Sequence, residues 1–540
     1  MAALLVDPEY PARSHSSDNS SNEKEDWTNR DFYLSVLRST ASKREARSYL
    51  SRFTPSVSLP YLGGPAKPTP RAGATPRPDR HDRKPPAVPN FSGNILPTAS
   101  ILSQEAPEIV HLALVKIRDL SSITDHTLHG VGRTLGQLQR LGLSIAVVLD
   151  DPAIADWRSP DATNRILAAI ETYGRKARVI DGALANHGSD VSISIPQLIL
   201  APLERGVIPI LAPTAYDETQ KLVYTDANDI VDALVSALPS EKISLDRLLF
   251  LDSAGGIPAP DRPNGAHVFV NIQQEFASIS AALEKDGNDH HRRALVTMQK
   301  ALAQLPPTSS GLITTPIAAA ATTKTRNPLI HNLLTDKPAF SSSLPTATSP
   351  LTQTTLLKHG TPLKIFPSGT KLSDPDIDLP KLVGLIEDSF GKRLDVEHYL
   401  KRVDENIAGL IIAGDYDGAA IVTWEYPQSG GERVCYLDKF AVARRAQGQG
   451  GVADVVFKAM VCLFEQTEGI VWRSRRENVV NKWYFERAKG TWKIPKQPND
   501  HVEWTMFWTT ENVKTSLKRI MEYEEVCKTI EPSLREVLKR

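Results

Sequence analysis

Cysteine is scarce in this sequence, with three residues among 540. Cys435, Cys462 and Cys527 are widely separated, and no pair has the C-x-x-C spacing of a metal site or a redox motif. This scarcity excludes a disulfide-stabilised scaffold and a cysteine-ligated metal centre. The chain therefore suits a reducing compartment, and we expect no metal.

Net charge and long apolar runs are also absent. Lysine and arginine together number 63, as do aspartate and glutamate, so the formal net charge is zero. Without a basic excess, the composition gives no support to binding of nucleic acid or of a membrane surface. No apolar stretch approaches the roughly 20 residues that a helix needs to cross a bilayer.

Proline is abundant, and its distribution indicates the domain organisation. A chain of this length is expected to form two or three domains. Residues 1–107 lack the pattern of a core, because residues 1–29 are polar and residues 60–98 are proline-rich like an extended linker. Residues 30–53 combine helical spacing of apolar residues with many basic residues, which favours a docking helix over a targeting helix.

Residues 108–365 alternate between apolar strand patterns and amphipathic helix patterns. HLALVKI and LSIAVVLD predict strands on either side of the helical sequence TLHGVGRTLGQLQRLG. Strand, helix and strand in succession form a crossover unit, which predicts a parallel sheet covered by helices. Residues 306–325 and 340–356 are rich in Ser, Thr, Pro and Ala, and we expect surface loops there.

Residues 366–528 change to a different pattern. Two helices precede a hairpin with its turn at Asp415–Gly418, and a third strand, YLDKFAV, leads into another helix. The strand VWRSR, a short helix, the strand EWTMFWTT and a charged helix follow. These elements predict an α+β domain with a mixed sheet, so the chain is an α/β protein of two domains. Residues 529–540 are expected to be a tail.

A glycine-rich turn follows the third strand of this second domain. It contains Arg445, Gly448 and Gly450 as R-x-x-G-x-G, with Gly451 after them. Glycines permit positive φ and close approach of the main chain to a ligand. The N-terminus of the next helix directs free N–H groups and the positive end of its dipole at the turn. A pyrophosphate fits such a turn.

A dinucleotide-binding loop is the obvious alternative for this motif. That loop would follow the first strand of a parallel unit, with an acidic residue about 20 positions later. Here the motif follows an antiparallel hairpin, and the next strand carries Arg473 instead of an acid. Antiparallel strands that lead into this motif resemble the GNAT acetyltransferase fold, whose loop binds the pyrophosphate of coenzyme A.

The two arginines of the WRSR strand are a second candidate feature. Side chains alternate along a strand, so Arg473 and Arg475 share one face. Adjacent guanidinium groups repel unless they share an anion, and their geometry matches a carboxylate. A solvated strand face with salt bridges is the commoner outcome. Lys439 and Lys392 are further cations, for which an ion pair with Asp438 and a surface loop, respectively, are the alternatives.

Acyl transfer to an amine requires groups that move protons. The amine must lose a proton, a tetrahedral intermediate must be stabilised, and a thiolate leaving group must gain a proton. Tyr484, at the start of a short helix, has a hydroxyl suited to the last task. An aromatic anchor in the WYF cluster is the alternative. The residues identify no general base, and Asp438 acting through a water is one hypothesis.

These stretches resemble the fungal mitochondrial N-acetylglutamate synthases, the amino-acid acetyltransferases that open arginine biosynthesis. YLDKFAV, QGQGGVADVVF, WRSR-x-x-N-x-x-N-x-WYFER and WTMFWTT carry the resemblance, together with NPLIHNLLTDKPAFSSSLP at 327–345 and the helical sequence at 377–403. The resemblance covers residues 30–53 and 108–528. It implies an amino-acid-kinase-like domain at 108–365 and a GNAT domain at 366–528.

The resemblance also bears on the role of the first domain. A working kinase of that superfamily has a glycine pair after its first lysine. Here Lys116 is followed by Ile117, Arg118 and Asp119. We therefore expect a regulatory domain without kinase activity.

The site residues are likewise implied by the resemblance. The glutamate-binding positions fall on Lys392, Lys439, Arg473 and Asn478, with Arg475 beside them. The catalytic positions are Tyr484 and Asn478. The acetyl-coenzyme A contacts fall on Phe440, Ala441, Val442, Arg445, Gln447, Gly448, Gln449, Gly450, Gly451 and Val452. Each carboxylate of glutamate needs a charge-assisted partner once desolvated, which agrees with these cations.

The implied reaction converts acetyl-coenzyme A and L-glutamate to N-acetyl-L-glutamate in the mitochondrial matrix. L-Arginine is the implied feedback inhibitor, and we also expect a homo-oligomer and a complex with acetylglutamate kinase. Two other functions remain open. A protein or peptide N-acetyltransferase would need an acidic groove for basic peptides, and a non-catalytic partner of acetylglutamate kinase would explain the degenerate kinase-like domain.

Overall fold

A computed structural model describes residues 109–151, 160–188, 190–260, 265–321, 326–344, 351–447, 451–464, 469–496, 502–510 and 516–535. The segment 1–107, with the predicted helix at 30–53, lies outside the described residues. So do Gly448, Gln449 and Gly450 of the glycine-rich turn. Within the described ranges, no helix is long and apolar enough to cross a membrane.

The first domain is built around one large sheet. In chain order its elements are β1 (Val110–Arg118), a 3-10 helix (Leu120–Ser122), α1 (Asp125–Arg140), β2 (Ser144–Asp150), α2 (Pro160–Glu171), β3 (Ala177–Ile180), β4 (Leu184–Asn186), β5 (Val191–Ile193), α3 (Gln197–Glu204), β6 (Ile208–Leu211), β7 (Thr214–Tyr216), β8 (Leu222–Tyr224), α4 (Ala227–Ala237), β9 (Ile243–Leu251), β10 (Phe269–Asn271), α5 (Ile272–Lys285), α6 (Asp289–Gln304), β11 (Ser310–Thr314), α7 (Pro316–Ala319), α8 (Pro328–Thr335) and β12 (Thr355–Lys358).

The strands of this domain form the predicted parallel arrangement. The large sheet has the order β10-β12-β11-β9-β1-β2-β6-β3, and its neighbouring strands run parallel except β11 and β12. At its centre, β1 is buried on both faces, which agrees with its apolar run from Leu112 to Val115. Leu112 and Leu114 face one core cluster, whereas Ala113 and Val115 face the other. A smaller sheet has the order β5-β4-β7-β8.

The predicted loop at 306–325 is wrong for its central part. Residues there form β11, which pairs with the core strand β9, followed by the short helix α7. Small residues are needed at this point because α6 packs directly on the strand. A β-carbon at Gly311 would lie 2.5 Å from Met298 Sδ. The small residues that suggested a loop here are instead needed for the close packing of β11 against α6.

The second domain contains the other long sheet. Its elements are β13 (Leu363–Phe366), α9 (Leu379–Phe390), β14 (Arg393–Leu394), α10 (Val396–Val403), β15 (Ile407–Ala413), β16 (Gly418–Glu425), β17 (Val434–Val442), α11 (Val452–Phe464), β18 (Val471–Arg475), α12 (Asn481–Arg487), β19 (Gly490–Lys493), β20 (Trp504–Trp508), α13 (Leu517–Thr529) and β21 (Leu534–Arg535). The seven-stranded sheet has the order β13-β15-β16-β17-β18-β20-β19. Only β17 and β18 run parallel among these neighbours, so the sheet is mixed, as predicted.

The strand pairing refines the proposed division into 108–365 and 366–528. β13 crosses that boundary and pairs with β15, so the change from one sheet to the other falls between Lys358 and Leu363. At the other end, β21 pairs with β14 within the predicted tail 529–540. The described part of this tail therefore belongs to the second domain.

Candidate active site

The candidate site lies where two parallel strands separate in the middle of the seven-stranded sheet. β17 pairs with β16 from Val434 to Val442. Within the described residues, it pairs with β18 only where Tyr436 meets Val471. β18 instead pairs along its whole length with β20. The facing edges of β17 and β18 therefore open into a cleft, where main-chain groups can accept a ligand.

A β-bulge at Asp438 places two charged side chains together beside this cleft. The register between β16 and β17 shifts there, because Ile421 pairs with Lys439 but Val422 pairs with Leu437. Neighbouring side chains normally point to opposite faces of a strand. The bulge instead lets the Lys439 ammonium lie 2.7 Å from Asp438 Oδ2. Bulges re-aim side chains in this way near active sites.

The Asp438 carboxylate is the centre of a buried charge network. Its side chain is 1% exposed. It accepts hydrogen bonds from Lys439, from Arg402 and from the Tyr399 hydroxyl, the last at 2.7 Å. Arg402 also pairs with Glu425 at 3.1 Å. Burial alone would raise the pKa of Asp438, but Lys439 and Arg402 outweigh burial and hold this pKa at about 2.

This network contradicts the hypothesis that Asp438 is the general base. An effective base has a pKa near the working pH, and a carboxylate with a pKa of about 2 takes up protons poorly at neutral pH. Lys439 forms the ion pair with Asp438 that the sequence offered as an alternative, and its ammonium lies 4.7 Å from the centre of the Tyr399 ring. Burial lowers the pKa of Lys439, and Asp438 opposes that effect. Its predicted role toward glutamate stays a prediction.

The alternation predicted for the WRSR strand is confirmed. Trp472 and Ser474 are buried on one face, whereas Arg475 is exposed on the other face with Arg473. The Arg475 side chain makes no hydrogen bond or ion pair with another described residue. Among the described residues, no side chain competes with a ligand for its guanidinium.

Arg473 already has partners in the folded chain. Its guanidinium donates to the carbonyl groups of Cys527 and Ile530 at the end of α13, and lies 4.3 Å from the centre of the Trp504 ring. A cation at this position also complements the negative end of the helix dipole. Arg473 thus attaches the C-terminal helix to the wall of the cleft.

Lys392 and Asn478 lie in the turns that border these strands. Lys392 is half-buried in the turn between α9 and β14. Asn478 is exposed after β18, where its amide donates to Ser474 Oγ at 2.9 Å and its oxygen accepts from the Val480 N–H at 3.1 Å. Asn478 therefore shapes the turn into α12, and its predicted contact with substrate stays a prediction.

Tyr484 is buried in an aromatic cluster next to the cleft. Its ring centre lies 5.4 Å from that of Trp472 and 5.6 Å from that of Phe507. The hydroxyl makes no hydrogen bond with another described residue. Burial raises the pKa of Tyr484, so the phenol keeps its proton at neutral pH. A raised pKa also makes the phenol a weaker acid, so the role of Tyr484 as proton donor stays a prediction.

Tyr484 and Lys439 approach the sheet from opposite faces. Tyr484 belongs to the core between the sheet and α11, together with Phe440 and Trp472. Lys439 lies against Tyr399 of α10, which is part of the other core. In a continuous sheet these two side chains could not act on one molecule. Where β17 and β18 separate, a molecule in the cleft could contact both side chains.

The described part of the glycine-rich turn fits an anionic ligand in its main-chain geometry. Gly451 has φ of 67°, and α11 begins immediately after it. Its first turn lies close to β16, because a β-carbon at Gly418 would be 2.7 Å from Val452 Cγ1. Free N–H groups at the first turn of a helix can hold a phosphate.

The side chains of the turn have structural partners. Arg445 bonds to Asp417 Oδ1 at 2.9 Å, and the Gln447 amide donates to the Val442 carbonyl at 3.0 Å. The Val442 N–H donates to Ser389 Oγ at 3.1 Å. Any contact of Arg445 or Gln447 with coenzyme A would therefore use the main chain more than the side chain. The main-chain N–H of Val442 is already engaged. With Phe440 and Ala441, they stay predicted cofactor contacts.

Arg487, a buried arginine that the sequence analysis missed, connects the site to the first domain. The Arg487 side chain is 2% exposed. It donates to Asp454 Oδ1 at 3.0 Å, to Ser341 Oγ at 2.7 Å and to Ser343 Oγ at 2.6 Å. Its guanidinium also lies 3.9 Å from the centre of the Trp483 ring. Both serines follow α8 of the first domain, and Asp454 lies in the first turn of α11.

Arg487 therefore fixes the helix that carries Tyr484 against the helix that follows the glycine-rich turn. Two further contacts attach α11 to the first domain: Lys458 pairs with Glu275 of α5, and Val455 lies in the core of the first domain. The sequence contained a usable signal, because Trp483 and Arg487 are four positions apart in a helix. That spacing places them on one helix face.

Metal-dependent chemistry has no candidate centre in the described ranges. No group of three or more His, Cys, Asp or Glu side chains there could hold a metal ion.

A mixed sheet whose parallel strands separate beside a glycine-rich helix entry defines an N-acetyltransferase of the GNAT class. Residues 365–530 match a family model described as the N-acetyltransferase domain of N-acetylglutamate synthase. The chain is 37% identical to the mitochondrial amino-acid acetyltransferase of Botryotinia fuckeliana, over 96% of this chain and 90% of that protein. It is 38% identical to that of Yarrowia lipolytica, over 94% and 93%. The chain belongs to the family of mitochondrial amino-acid acetyltransferases.

The relatives and the similar solved structures align with different shares of this chain. The alignment with the Botryotinia fuckeliana protein runs over 678 positions, more than the 540 residues of this chain, so that relative contains segments that this chain lacks. Among solved structures, N-acetylglutamate synthase from Neisseria gonorrhoeae, complexed with coenzyme A and N-acetyl-glutamate, aligns with 75% of this chain and 96% of its own at 15% identity and a TM-score of 0.42. An isopentenyl phosphate kinase aligns with 42% of this chain and 98% of its own, at 14% identity and a TM-score of 0.29.

The Asp438 carboxylate should stabilise the folded chain by an amount that depends on pH. Asp438→Asn leaves Arg402 and Lys439 buried with one anion fewer, and breaking a buried ion pair typically costs about 3–5 kcal/mol. The pKa of Asp438 is about 2 in the folded chain, below the value of about 3.9 for an unfolded chain. Its stabilising effect is therefore complete above about pH 4 and is lost as the pH falls toward 2.

Urea unfolding of both proteins between pH 6 and pH 3 measures this effect. The difference between wild type and Asp438→Asn should shrink across that range. Asp376→Asn is the control, because Asp376 is exposed, and it should differ little from wild type at any pH. A constant difference for Asp438→Asn would show that the carboxylate is not a buried anion.

Arg487→Lys should weaken the attachment between the domains. Lysine keeps the charge but presents its donors from one nitrogen, so it cannot replace the guanidinium fork between Asp454 and the two serines. Loss of hydrogen bonds to a charged group should lower the free energy of unfolding by about 1.5–3 kcal/mol. Arg476→Lys is the control, because Arg476 is exposed and pairs with Glu503. Equal effects of the two variants in thermal unfolding would exclude a structural role for the fork.

Proposed function

We propose that this chain transfers the acetyl group of acetyl-coenzyme A to the α-amine of L-glutamate, which yields N-acetyl-L-glutamate and coenzyme A. This is the first step of arginine biosynthesis. Family membership supports acetylation of an amino acid. The observation that carries the choice of glutamate is the exposed Arg475 on the wall of the cleft, without a partner among the described residues.

Glutamate brings two carboxylates, and the cations near the cleft differ in their readiness to bind them. Arg475 is available, whereas Lys439 pairs with Asp438 and Arg473 donates to main-chain carbonyls. We assign Arg475 to direct binding of the side-chain carboxylate, because a guanidinium matches it with two parallel hydrogen bonds. Lys392 is assigned to the α-carboxylate. Lys439, Arg473 and Asn478 then form the walls that position the substrate.

Acetyl-coenzyme A is assigned to the cleft between β17 and β18. Its pyrophosphate lies at the turn from Gln447 to Val452, at the N-terminus of α11. The thioester lies along the open edge of β17, from Phe440 to Val442. Main-chain N–H groups on this edge can stabilise the oxyanion of a tetrahedral intermediate, except that of Val442, which donates to Ser389 Oγ.

The transfer then needs two proton movements. The neutral amine attacks the thioester carbonyl, a carbon–nitrogen bond forms, and the carbon–sulfur bond breaks as the intermediate collapses. The amine loses a proton to solvent, because Asp438 has too low a pKa to serve as base. The thiolate takes a proton from the Tyr484 hydroxyl, which is protonated and uncommitted. Solvent then returns a proton to Tyr484.

The proposal extends to an effector, a location and protein partners. We propose L-arginine as the feedback inhibitor, acting through the first domain, and the mitochondrial matrix as the location. Arg487 and Asp454 offer a physical route between that domain and the site. A homo-oligomer and a complex with acetylglutamate kinase also stay proposals. Acetylation of basic peptides is disfavoured, because the exposed arginine of the cleft would repel them.

Release of free thiol from acetyl-coenzyme A tests the proposed reaction. L-Glutamate should be acetylated with a kcat/KM at least 100-fold above that of L-glutamine, which has the same size but lacks the second carboxylate. Arg475→Gln should abolish most of this preference while leaving the rate with glutamine unchanged. Arg476→Gln is the matched control, since the neighbouring arginine is exposed but paired. Equal rates for the two amino acids, or preference for a basic peptide, would overturn the assignment of substrate.

Tyr484→Phe should lower kcat with little change in the KM for acetyl-coenzyme A. Loss of a general acid typically slows turnover by about 10²–10⁴-fold. Stability should be retained, because the hydroxyl makes no hydrogen bond with another described residue. Tyr426→Phe, at an exposed position, controls for loss of a hydroxyl elsewhere. Unchanged kcat in steady-state assays would remove Tyr484 from the mechanism.

A further inference from the structure

A short loop of the first domain reaches the transferase domain through two serines. Ser341 and Ser343 follow α8, which is buried along its whole length. The loop is attached to that helix, because His331 Nε2 lies 3.2 Å from the Pro338 carbonyl oxygen. The two serine hydroxyls are therefore presented from a fixed part of the first domain.

Each of these hydroxyls lies between a cation and an anion of the transferase domain. Ser341 Oγ is 2.7 Å from the Arg487 guanidinium and 2.9 Å from Asp454 Oδ1. Ser343 Oγ is 2.6 Å from each of the same two groups. Because a hydroxyl can accept and donate at once, each serine accepts from the arginine and donates to the carboxylate. A side chain that only donates or only accepts could not do both.

The two helices that the serines join carry different parts of the candidate site. Asp454 lies in the first turn of α11, next to the glycine-rich turn that is assigned to the pyrophosphate. Arg487 ends α12, three positions after Tyr484. Residues three apart in a helix are neighbours on its surface. Holding Arg487 against Asp454 therefore restrains Tyr484 relative to the helix that follows the phosphate turn.

The cations that are assigned to glutamate lie on other elements. Arg475 ends β18, and Lys392 lies in the turn between α9 and β14. Loss of the serine hydroxyls should leave both cations in place. Misplacement of a catalytic group by 1 Å can slow a reaction by about 10²-fold. The serines should therefore affect the reaction of bound glutamate more than its binding.

We propose that Ser341 and Ser343 are positioning residues for acetyl transfer, supplied by the first domain. Their hydroxyls hold Arg487 and Asp454 together and thereby set the position of Tyr484 relative to the acyl donor. This inference rests on the proposed function, because it assigns a role in the same reaction. The first domain thus contributes two side chains to the geometry of the active site, separately from any ligand that it binds.

Steady-state kinetics of full-chain variants test this role in the thiol-release assay. The double variant Ser341→Ala/Ser343→Ala removes both hydroxyls. Its kcat should fall tenfold or more, while the KM for glutamate stays within twofold. The double variant Ser341→Thr/Ser343→Thr retains both hydroxyls and should recover most of the wild-type kcat. Ser342→Ala is the matched control, because the Ser342 side chain makes no hydrogen bond with another described residue, and its kcat should equal that of wild type.

Hydrogen–deuterium exchange without substrate gives a second measurement that needs no activity. Amides of α12 should exchange faster in the double alanine variant but not in the threonine variant, whereas β1 of the first domain should not change. Circular dichroism at the assay temperature verifies that each variant is folded. If the double alanine variant unfolds, Ser341→Ala and Ser343→Ala are measured singly, since each leaves one hydroxyl in place.

The proposal is overturned if the alanine variants keep both the wild-type kcat and the wild-type exchange of α12. It is also overturned if the alanine and threonine variants lose kcat equally, because the hydroxyls would then not be the cause. Failure of the proposed function gives a different result, in which the wild-type chain itself releases no thiol with glutamate. In that case the exchange of α12 alone decides whether the serines position this helix.

Discussion

The ion pair between Asp438 and Lys439 at the bulge of β17 is the interaction on which the site depends. It places a cation and an anion within 2.7 Å at the point where the sheet opens. Without Asp438, Lys439 and Arg402 would be two like charges buried beside each other. With it, the carboxylates of Asp438 and Glu425 balance the charges of Lys439 and Arg402, and the Tyr399 hydroxyl donates to Asp438.

The second constraint comes from the first domain. α11 packs on its own sheet and also contacts the preceding domain, through Val455, Lys458 and Asp454. The helix that follows the phosphate turn is therefore held from both sides, and Arg487 extends the contact to the helix of Tyr484. A change of conformation in the first domain has a short path to the reacting groups. Regulation of the transferase by that domain would use this path.

Much of the fold followed from hydrophobic periodicity, and most of the site geometry did not. The parallel core around β1 and the hairpin at Asp415–Gly418 were predictable because their patterns are local. Strands of two to four residues, such as β14 and β21, are too short to show a detectable alternation of apolar and polar residues. The partners of Arg473 lie more than 50 positions away, and the network of Asp438 requires a bulge that no sequence pattern signals. Ser341 and Ser343 gain their role only when the domains meet.

If the separated strands β17 and β18 hold the acyl donor, acetyl-coenzyme A should change hydrogen–deuterium exchange of the full chain at these strands. Amides of the open edge, from Leu437 to Ala441, and those of the first turn of α11 should become protected, whereas β9 of the first domain should not change. Protection confined to the first domain, or absent from β17, would show that the acyl donor binds elsewhere.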